Sequence, residues 1–176
     1  MTHSHALASP GRREEAGVTL VELMVTVAVL GILAAVAVPP MVGLINNNRL
    51  AGTTGELTAS LQLARSEALR RGSTVTMCGT TDGATCGADW SRWIITGTDS
   101  VTGAAEVIRD ASGSSSVQVA GPGAPGIAFR PSGLIDGQQQ LTVCVPTDTP
   151  TENQRIITVM LSGTIVTTRA SGGGGC

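Results

Sequence analysis

The sequence contains no lysine and no tyrosine, and aromatic residues make up only 2% of its 176 positions. Charged residues make up 14%, and the formal net charge is −2. The chain as a whole therefore attracts neither nucleic acid nor an anionic membrane surface. The scarcity of aromatic rings also argues against a surface on which bases stack. The length fits one small domain with attached segments.

Histidine is confined to His3 and His5. The remainder of the chain therefore has no histidine for a catalytic triad, a general base or a metal site. No nucleophile motif is present either, and nothing marks a particular pair of carboxylates for catalysis. We expect a protein that is not an enzyme and that needs no cofactor and no metal. An envelope enzyme on a membrane anchor is the alternative that a close pair of acidic side chains would support.

One long apolar run contrasts with the sparse charge elsewhere. Residues 18–38 read VTLVELMVTVAVLGILAAVAV, and Glu22 is their only charge. As a helix, this run covers roughly 30 Å, the thickness of a bilayer core. Arg12 and Arg13 precede it, which places the amino end in the cytoplasm by the positive-inside rule. Residues 39–40, both proline, interrupt the run.

Two ordinary interpretations of this run leave features unexplained. A secretory signal has an apolar region of about 7–15 residues and an A-x-A cleavage site. Residues 35–37 offer such a site, but the run is too long and contains a carboxylate. A plain membrane anchor fits the length but does not explain Glu22, because a buried carboxylate costs about 2.5–3.5 kcal/mol on insertion scales. Snorkelling of Glu22 to the interface is the remaining structural explanation.

The run GVTLVE at residues 17–22 resembles the prepilin signature. Gly31 and Pro39 also stand where pilins place a glycine and a proline kink. The resemblance implies that a prepilin peptidase cuts between Gly17 and Val18 and methylates the new amine of Val18. It also implies that Glu22 pairs with a positive amine, that of Val18 in a neighbouring subunit. Such a pair stabilises the carboxylate only when subunits stack in register.

Residues 41–71 keep a helical pattern after the apolar run. One apolar stripe recurs at helical spacing, formed by Leu50, Leu57, Leu61, Ala64 and Ala68. Glu67 and Arg71 are spaced for an i,i+4 ion pair, and Gly72 is a stop signal. Residues 46–55 contain three Asn, two Gly and two Thr, so we expect the helix to loosen there.

Short strand patterns rich in Val, Ile and Thr follow Gly72. The predicted strands are 73–78, 93–96, 106–109, 116–120, 127–130, 140–145, 155–161 and 164–169. Ser162 and Gly163 predict a two-residue hairpin turn between the last two strands. Ile157, Val159 and Leu161 share one strand face, which we expect to pack on the helix stripe. One helix followed by strands predicts an α+β fold with antiparallel sheets.

The four cysteines all lie beyond the apolar run, at Cys78, Cys86, Cys144 and Cys176. Translocation places them in an oxidising compartment, where an even number favours disulfides. Three pairings are possible. Cys78–Cys86 closes a short loop, and Cys144–Cys176 attaches the flexible, glycine-rich tail at 171–175 to a core strand, so we favour this arrangement. A zinc site is disfavoured, since no C-x-x-C pair exists.

Further residues resemble the GspH/FimT branch of the type IV pilin-like proteins. They are residues 61–71, Val75, Cys78, Trp90, Trp93, residues 127–133 and the late cysteines. The resemblance implies a pilin-like fold, with a long N-terminal transmembrane helix packed on antiparallel β-sheets. The expected segments are a leader at 1–17, the transmembrane helix at 18–38, its continuation at 39–72 and a periplasmic β-rich domain at 73–176. We interpret Arg65 and Glu67 as fold-stabilising charges rather than functional ones, and Trp90 and Trp93 as packing residues rather than ligand contacts.

The same resemblance implies a structural function. Members are minor pseudopilins at the tip of a type II secretion pseudopilus or minor pilins of type IV pili. The implied partners are the prepilin peptidase, other pilin or pseudopilin subunits and the bacterial inner membrane, crossed once. Some members bind DNA through a C-terminal Gly-Arg-x-Arg motif. Here Thr164 follows Gly163 and only Arg169 is near, so DNA binding is possible but not favoured.

Overall fold

The computed structural model describes residues 18–99 and 102–176, without the side chains of residues 38–40. The chain divides into two compact units, Met1–Pro39 and Pro40–Cys176, called here the N-terminal and C-terminal units. The described residues form one helix, α1 (Leu20–Arg71), and eight strands. The strands are β1 (Val75–Gly79), β2 (Arg92–Thr98), β3 (Ala105–Ser112), β4 (Gln118–Ala120), β5 (Ile127–Phe129), β6 (Gln139–Cys144), β7 (Gln154–Val159) and β8 (Ile165–Ala170).

Both ends of α1 follow local signals in the sequence. At the start, the Thr19 hydroxyl oxygen accepts a hydrogen bond from the backbone N–H of Glu22 at 3.2 Å, which caps the first turn. At the end, Arg70 and Arg71 place positive charge in the last turn, where it complements the helix dipole. Gly72 follows with a φ of 61°, the left-handed conformation that commonly ends helices. The predicted stop at Gly72 is therefore confirmed.

The part of α1 within the N-terminal unit is predominantly apolar, and Glu22 is its only charged residue. The window Leu20–Ala37 has a mean hydropathy of 2.5, and none of it is buried within the protein. By length and composition this helix is able to cross a membrane.

The helix does not loosen at residues 46–55, contrary to our expectation, because tertiary contacts use the polar side chains there. Asn46 donates a hydrogen bond to the carbonyl oxygen of Thr149 at 2.9 Å. The side-chain oxygen of Asn47 accepts one from Arg155 at 2.7 Å. These long-range bonds offset the weak helix propensity of the segment.

Two antiparallel four-stranded sheets follow the helix, which gives the predicted α+β fold. The strand orders are β3-β2-β1-β5 and β4-β6-β7-β8. Each predicted strand has a counterpart in the structure, with boundaries that differ by at most three residues. The largest difference is β3, which extends to Ser112 through a register shift in its pairing with β2.

The predicted helix stripe forms the centre of the core. Its five residues, Leu50, Leu57, Leu61, Ala64 and Ala68, are all fully buried. Trp90 and Trp93 are buried as well, which confirms them as packing residues. The indole N–H of Trp93 donates to the Ser60 hydroxyl at 3.0 Å, and that of Trp90 donates to the Pro122 carbonyl at 2.9 Å. Both indole groups are therefore satisfied inside the core.

The turn between β7 and β8 is longer than the predicted two-residue turn. The N–H of Gly163 donates to the carbonyl oxygen of Met160 at 2.8 Å, and the N–H of Met160 donates to that of Thr164 at 2.9 Å. Gly163 has a φ of 74°, so it follows the turn as a bulge residue. Leu161 lies in this turn and is exposed, so its predicted core position is wrong, whereas Ile157 and Val159 are buried.

We expect Leu61→Ala to lower the free energy of unfolding by about 2–5 kcal/mol, because it leaves a cavity in a fully buried site. Leu69→Ala makes the same change at an exposed position of the same helix, so its effect should stay below about 1 kcal/mol. Urea unfolding of the two variants in detergent micelles, followed by circular dichroism, checks this. Equal losses of stability would show that the stripe does not form the core.

Candidate functional site

The residues expected to act in processing and assembly lie at the start of α1 and immediately before it. Gly17 lies outside the described residues, and Val18 precedes the helix with an exposed side chain. Thr19 is the N-cap residue, with Glu22 in the third helical position. This role of Thr19 is absent from the sequence predictions, although the T-x-x-E spacing of a capping box signals it.

The carboxylate of Glu22 has no hydrogen-bond or ion-pair partner among the described residues. The capping bond uses the backbone N–H of Glu22 and leaves its side chain out. No ion pair between described residues includes Glu22. The first turn therefore presents a carboxylate that has no ion-pair partner among the described residues, on an otherwise apolar helix surface.

The structure contains two disulfides, Cys78–Cys86 and Cys144–Cys176, the pairs favoured from the sequence. The Cα atoms of the pairs are 5.4 Å and 5.7 Å apart. Asp82 organises the loop closed by the first disulfide. Its carboxylate accepts hydrogen bonds from the backbone N–H groups of Ala84 and Thr85, each at 2.8 Å. Bonds from Thr85 above all hold the pKa of Asp82 far below its usual range.

The second disulfide ends a tail that is bonded along its length. Asn153, which is fully buried, donates to the carbonyl oxygens of Val145 at 3.0 Å and of Gly175 at 3.2 Å. Its side-chain oxygen accepts a bond from the N–H of Gly172 at 2.7 Å. The prediction that residues 171–175 form a flexible tail is therefore wrong, because hydrogen bonds hold this segment to Asn153. Nothing in the local sequence marks Asn153 for this function, because its partners are distant in the chain.

Glu67 pairs with two arginines at the end of α1, one of which also contacts the first sheet. Its carboxylate accepts hydrogen bonds from Arg70 at 2.6 Å and from Arg71 at 2.8 Å, which confirms the predicted i,i+4 pair. Arg71 also pairs with Glu106 on β3. Hydrogen bonds from Arg70 and then Arg71 lower the pKa of Glu67 to about 2.

Arg169 lies on β8, directly opposite Arg155 of β7. Its nearest carboxylate is that of Glu152, at 3.5 Å, and both side chains are more than half exposed. Arg155 is only 6% exposed and donates to the carbonyl oxygens of Glu152 and Gln154, each at 2.8 Å. Burial, followed by the neighbouring charge of Arg169, lowers the pKa of Arg155.

Arg65 is the remaining charged residue expected to stabilise the fold. It donates to the carbonyl oxygen of Ser162 at 3.1 Å and so connects α1 to the β7–β8 turn. Its Nε is buried and has no hydrogen-bond partner among the described residues. The described residues also contain no group of three His, Cys, Asp or Glu side chains placed to hold a metal ion.

Comparison with models of protein families shows the family to which the chain belongs. The model of the type II transport protein GspH matches residues 53–164, which is most of the C-terminal unit. The chain belongs to the GspH family. The model of the prokaryotic N-terminal methylation motif matches residues 12–38, the segment in which we recognised the prepilin signature. This GspH-family protein thus combines both features of pilin-like subunits.

Solved structures of two other proteins have the same fold as this GspH-family protein. The type IV minor pilin FimU of Pseudomonas aeruginosa aligns with a TM-score of 0.54 and 22% identity, over 69% of this chain and 90% of FimU. The minor pseudopilin EpsH from the type II secretion system of Vibrio cholerae aligns with a TM-score of 0.51 and 12% identity, over 73% of this chain and 97% of EpsH. Comparison with curated proteins gives no significant match. The pilin-like fold is therefore established.

Peptide mapping without reduction should recover Cys78 linked to Cys86 and Cys144 linked to Cys176. The protein should be purified from an oxidising compartment, because the cytoplasm keeps thiols reduced. A reduced and alkylated sample is the control and should yield four separate cysteine peptides. Any cross-pair between the two sets, for example Cys78 with Cys144, would contradict this connectivity.

Glu67→Gln should make the stability of the protein less dependent on pH below about 4.5. Because the folded pKa of Glu67 is lowered to about 2, the ionised group stabilises the fold above the unfolded value of 4.5. That contribution, on the order of 2 kcal/mol, is lost as the pH falls from about 4.5 towards 2. Unfolding by urea across this pH range measures it. Glu56→Gln, in a more exposed pair with Arg109, should change the profile much less.

Proposed function

We propose that the chain is a minor pilin or pseudopilin, a structural subunit at or near the tip of a filament assembled from the inner membrane. Residues 18–38 cross this membrane once, and the C-terminal unit lies in the periplasm. The filament is a type IV pilus or a type II secretion pseudopilus, and the subunit supports pilus assembly or protein secretion. Membership of the GspH family and the methylation motif support this proposal.

The unpaired carboxylate of Glu22 is the observation that carries the proposal. A lone carboxylate in an apolar span costs about 2.5–3.5 kcal/mol on insertion scales. A cation from a neighbouring subunit offsets that cost only when the two helices stack in the correct register. The amine of Val18, freed by cleavage after Gly17, is the cation that this mechanism requires. Glu22 then couples membrane insertion to assembly with other pilin or pseudopilin subunits.

The prepilin peptidase is the partner that this mechanism needs first. We expect the membrane-bound protein to begin at Val18 and to carry an N-methyl group there. N-terminal sequencing and mass spectrometry of the purified protein measure both. Gly17→Glu should block cleavage, because the signature requires glycine before the cut. A mature protein that begins at Met1 or Val38 would contradict the proposal.

Glu22→Ala should insert into the membrane and be processed, yet fail to enter filaments or to support secretion. Removing the carboxylate lowers the cost of insertion but also removes the partner of the amine. Thr26→Ala, which removes a hydroxyl bonded within the same helix, is the control and should assemble normally. Immunoblots of membrane and sheared-filament fractions measure the difference. Normal assembly of Glu22→Ala would exclude the mechanism.

The alternative function, a DNA-binding minor pilin for natural transformation, has less support. Arg169 is the proposed contact, but Glu152 lies 3.5 Å from its guanidinium. A contact from one arginine gives weak and salt-sensitive binding to phosphate. The structural function is therefore the conclusion that we favour.

A further inference from the structure

A groove runs between β8 and the adjoining flank of α1 in the C-terminal unit. It consists of two depressions of about 450 and 330 Å³, which both border Gln62. The first is lined by Gly55 and Ala59 of α1 and by Thr167 and Arg169 of β8. The second is lined by Arg65 and Leu69 of α1 and by Thr164 and Ile165. We call the two together the β8 groove.

The groove exists because α1 covers β7 but leaves the same face of β8 open. Val159, Ile157 and Arg155 of β7 are buried on the face that packs on the helix. Their cross-strand neighbours on β8 are Ile165, Thr167 and Arg169, which point to that same face. Ile165 is half-buried, whereas Thr167 and Arg169 are exposed. Small residues on the helix flank leave this space unfilled.

The backbone edge beside the groove is also free. β8 is the last strand in the order β4-β6-β7-β8, so no described strand pairs with its outer side. Exposed edge strands accept a further strand through their unpaired N–H and C=O groups. β8 contains no proline, no lysine and no bulge that would discourage such pairing.

Positive charge lies at both ends of the groove. Arg155 is buried, no carboxylate of the described residues lies within ion-pair distance of it, and Arg169 stands beside it. Arg65 marks the other end, where its only hydrogen bond among the described residues goes to a carbonyl oxygen. Glu152, on the rim, is the carboxylate near Arg169. The charge of the groove is therefore complementary to carboxylates on an occupant.

We propose that the β8 groove binds an extended acidic segment of a partner protein. The segment adds to the free edge of β8 as a fifth strand and places carboxylates against Arg169 and Arg65. From Gly163 to Arg169 the strand spans roughly 20 Å, so about six to eight residues fill the groove. This interaction goes beyond the filament function and needs no assembled filament.

A peptide fits this groove better than a nucleic acid does. Successive phosphates along a nucleic-acid strand lie only a few ångströms apart, so they require basic side chains along the whole contact. The middle of the β8 groove is instead lined by Gly55, Ala59 and Thr167. A strand edge supplies backbone hydrogen bonds there, which an extended peptide matches.

The test uses the full chain in nonionic detergent micelles and fluorescein-labelled peptides of about ten residues. One peptide alternates Thr and Glu, and the matched peptide alternates Thr and Gln. Fluorescence anisotropy should show that the Glu peptide binds about tenfold or more tightly than the Gln peptide. Amide hydrogen exchange should slow along β8 when the Glu peptide is present, because strand addition protects backbone N–H groups. Equal binding of the two peptides, or no binding at millimolar concentration, would overturn the proposal.

Variants locate the site. Arg169→Gln should weaken binding of the Glu peptide about threefold to tenfold, whereas Arg49→Gln removes an exposed arginine outside the groove and should leave it unchanged. Ala59→Phe fills the groove and should abolish binding, and Asn48→Phe is its control at an exposed helical position. If Arg169→Gln and Arg49→Gln weakened binding equally, or if Ala59→Phe and Asn48→Phe did, the assignment of the binding site to the β8 groove would be overturned.

A labelled DNA duplex in the same assay tests the other class of ligand. The proposal would be overturned if the duplex bound, if Ala59→Phe abolished that binding, and if the Glu peptide did not bind. The ligand of the groove would then be a nucleic acid. Glu22→Ala should bind the Glu peptide normally. Failure of filament assembly and failure of peptide binding are thereby separate results.

Discussion

Burial of a single helix face organises the C-terminal unit. Five small or aliphatic residues of α1, spaced over five turns, are fully buried, and both sheets contribute residues to the same core cluster. The hydrophobic effect is the main driving force here, because fully burying a leucine side chain contributes about 1.5–3 kcal/mol. Hydrogen bonds and ion pairs then attach strands, loops and turns to this helix, and the disulfides close segments within the strand region.

The polar contacts of α1 fall into two groups with different functions. Within the C-terminal unit, Asn46, Asn47, Arg65 and Arg71 each bond to a strand, a loop or a turn and so hold the sheets to the helix. In the first turn, by contrast, the carboxylate of Glu22 forms no hydrogen bond or ion pair with the described residues. A charge that the fold itself does not use is best explained by a partner. This contrast supports assembly as the function of the first turn, in keeping with membership of the GspH family.

Periodic features were predictable from the sequence, whereas features that depend on distant residues were not. The helix stripe and the strands repeat at fixed spacing, so local pattern is enough to find them. Asn153 and Arg155 gain their functions from partners far away in the chain, for example Asn47, 108 positions from Arg155. The turn at residues 160–163 was misassigned because glycine suits both a two-residue turn and the bulge that follows a longer one. The groove beside β8 depends on which strand the helix covers, which spacing alone does not encode.

The two buried tryptophans give this protein a simple optical property. Since the sequence has no tyrosine and a single phenylalanine, nearly all of its near-ultraviolet fluorescence comes from Trp90 and Trp93. One indole is bonded to a serine of α1 and the other to a loop carbonyl, so both report on the packed core. The apolar segment at residues 18–38 has no aromatic side chain and therefore does not contribute to this fluorescence. Emission therefore follows the folding of the C-terminal unit without a label, even while the segment before it lies in a micelle or a bilayer.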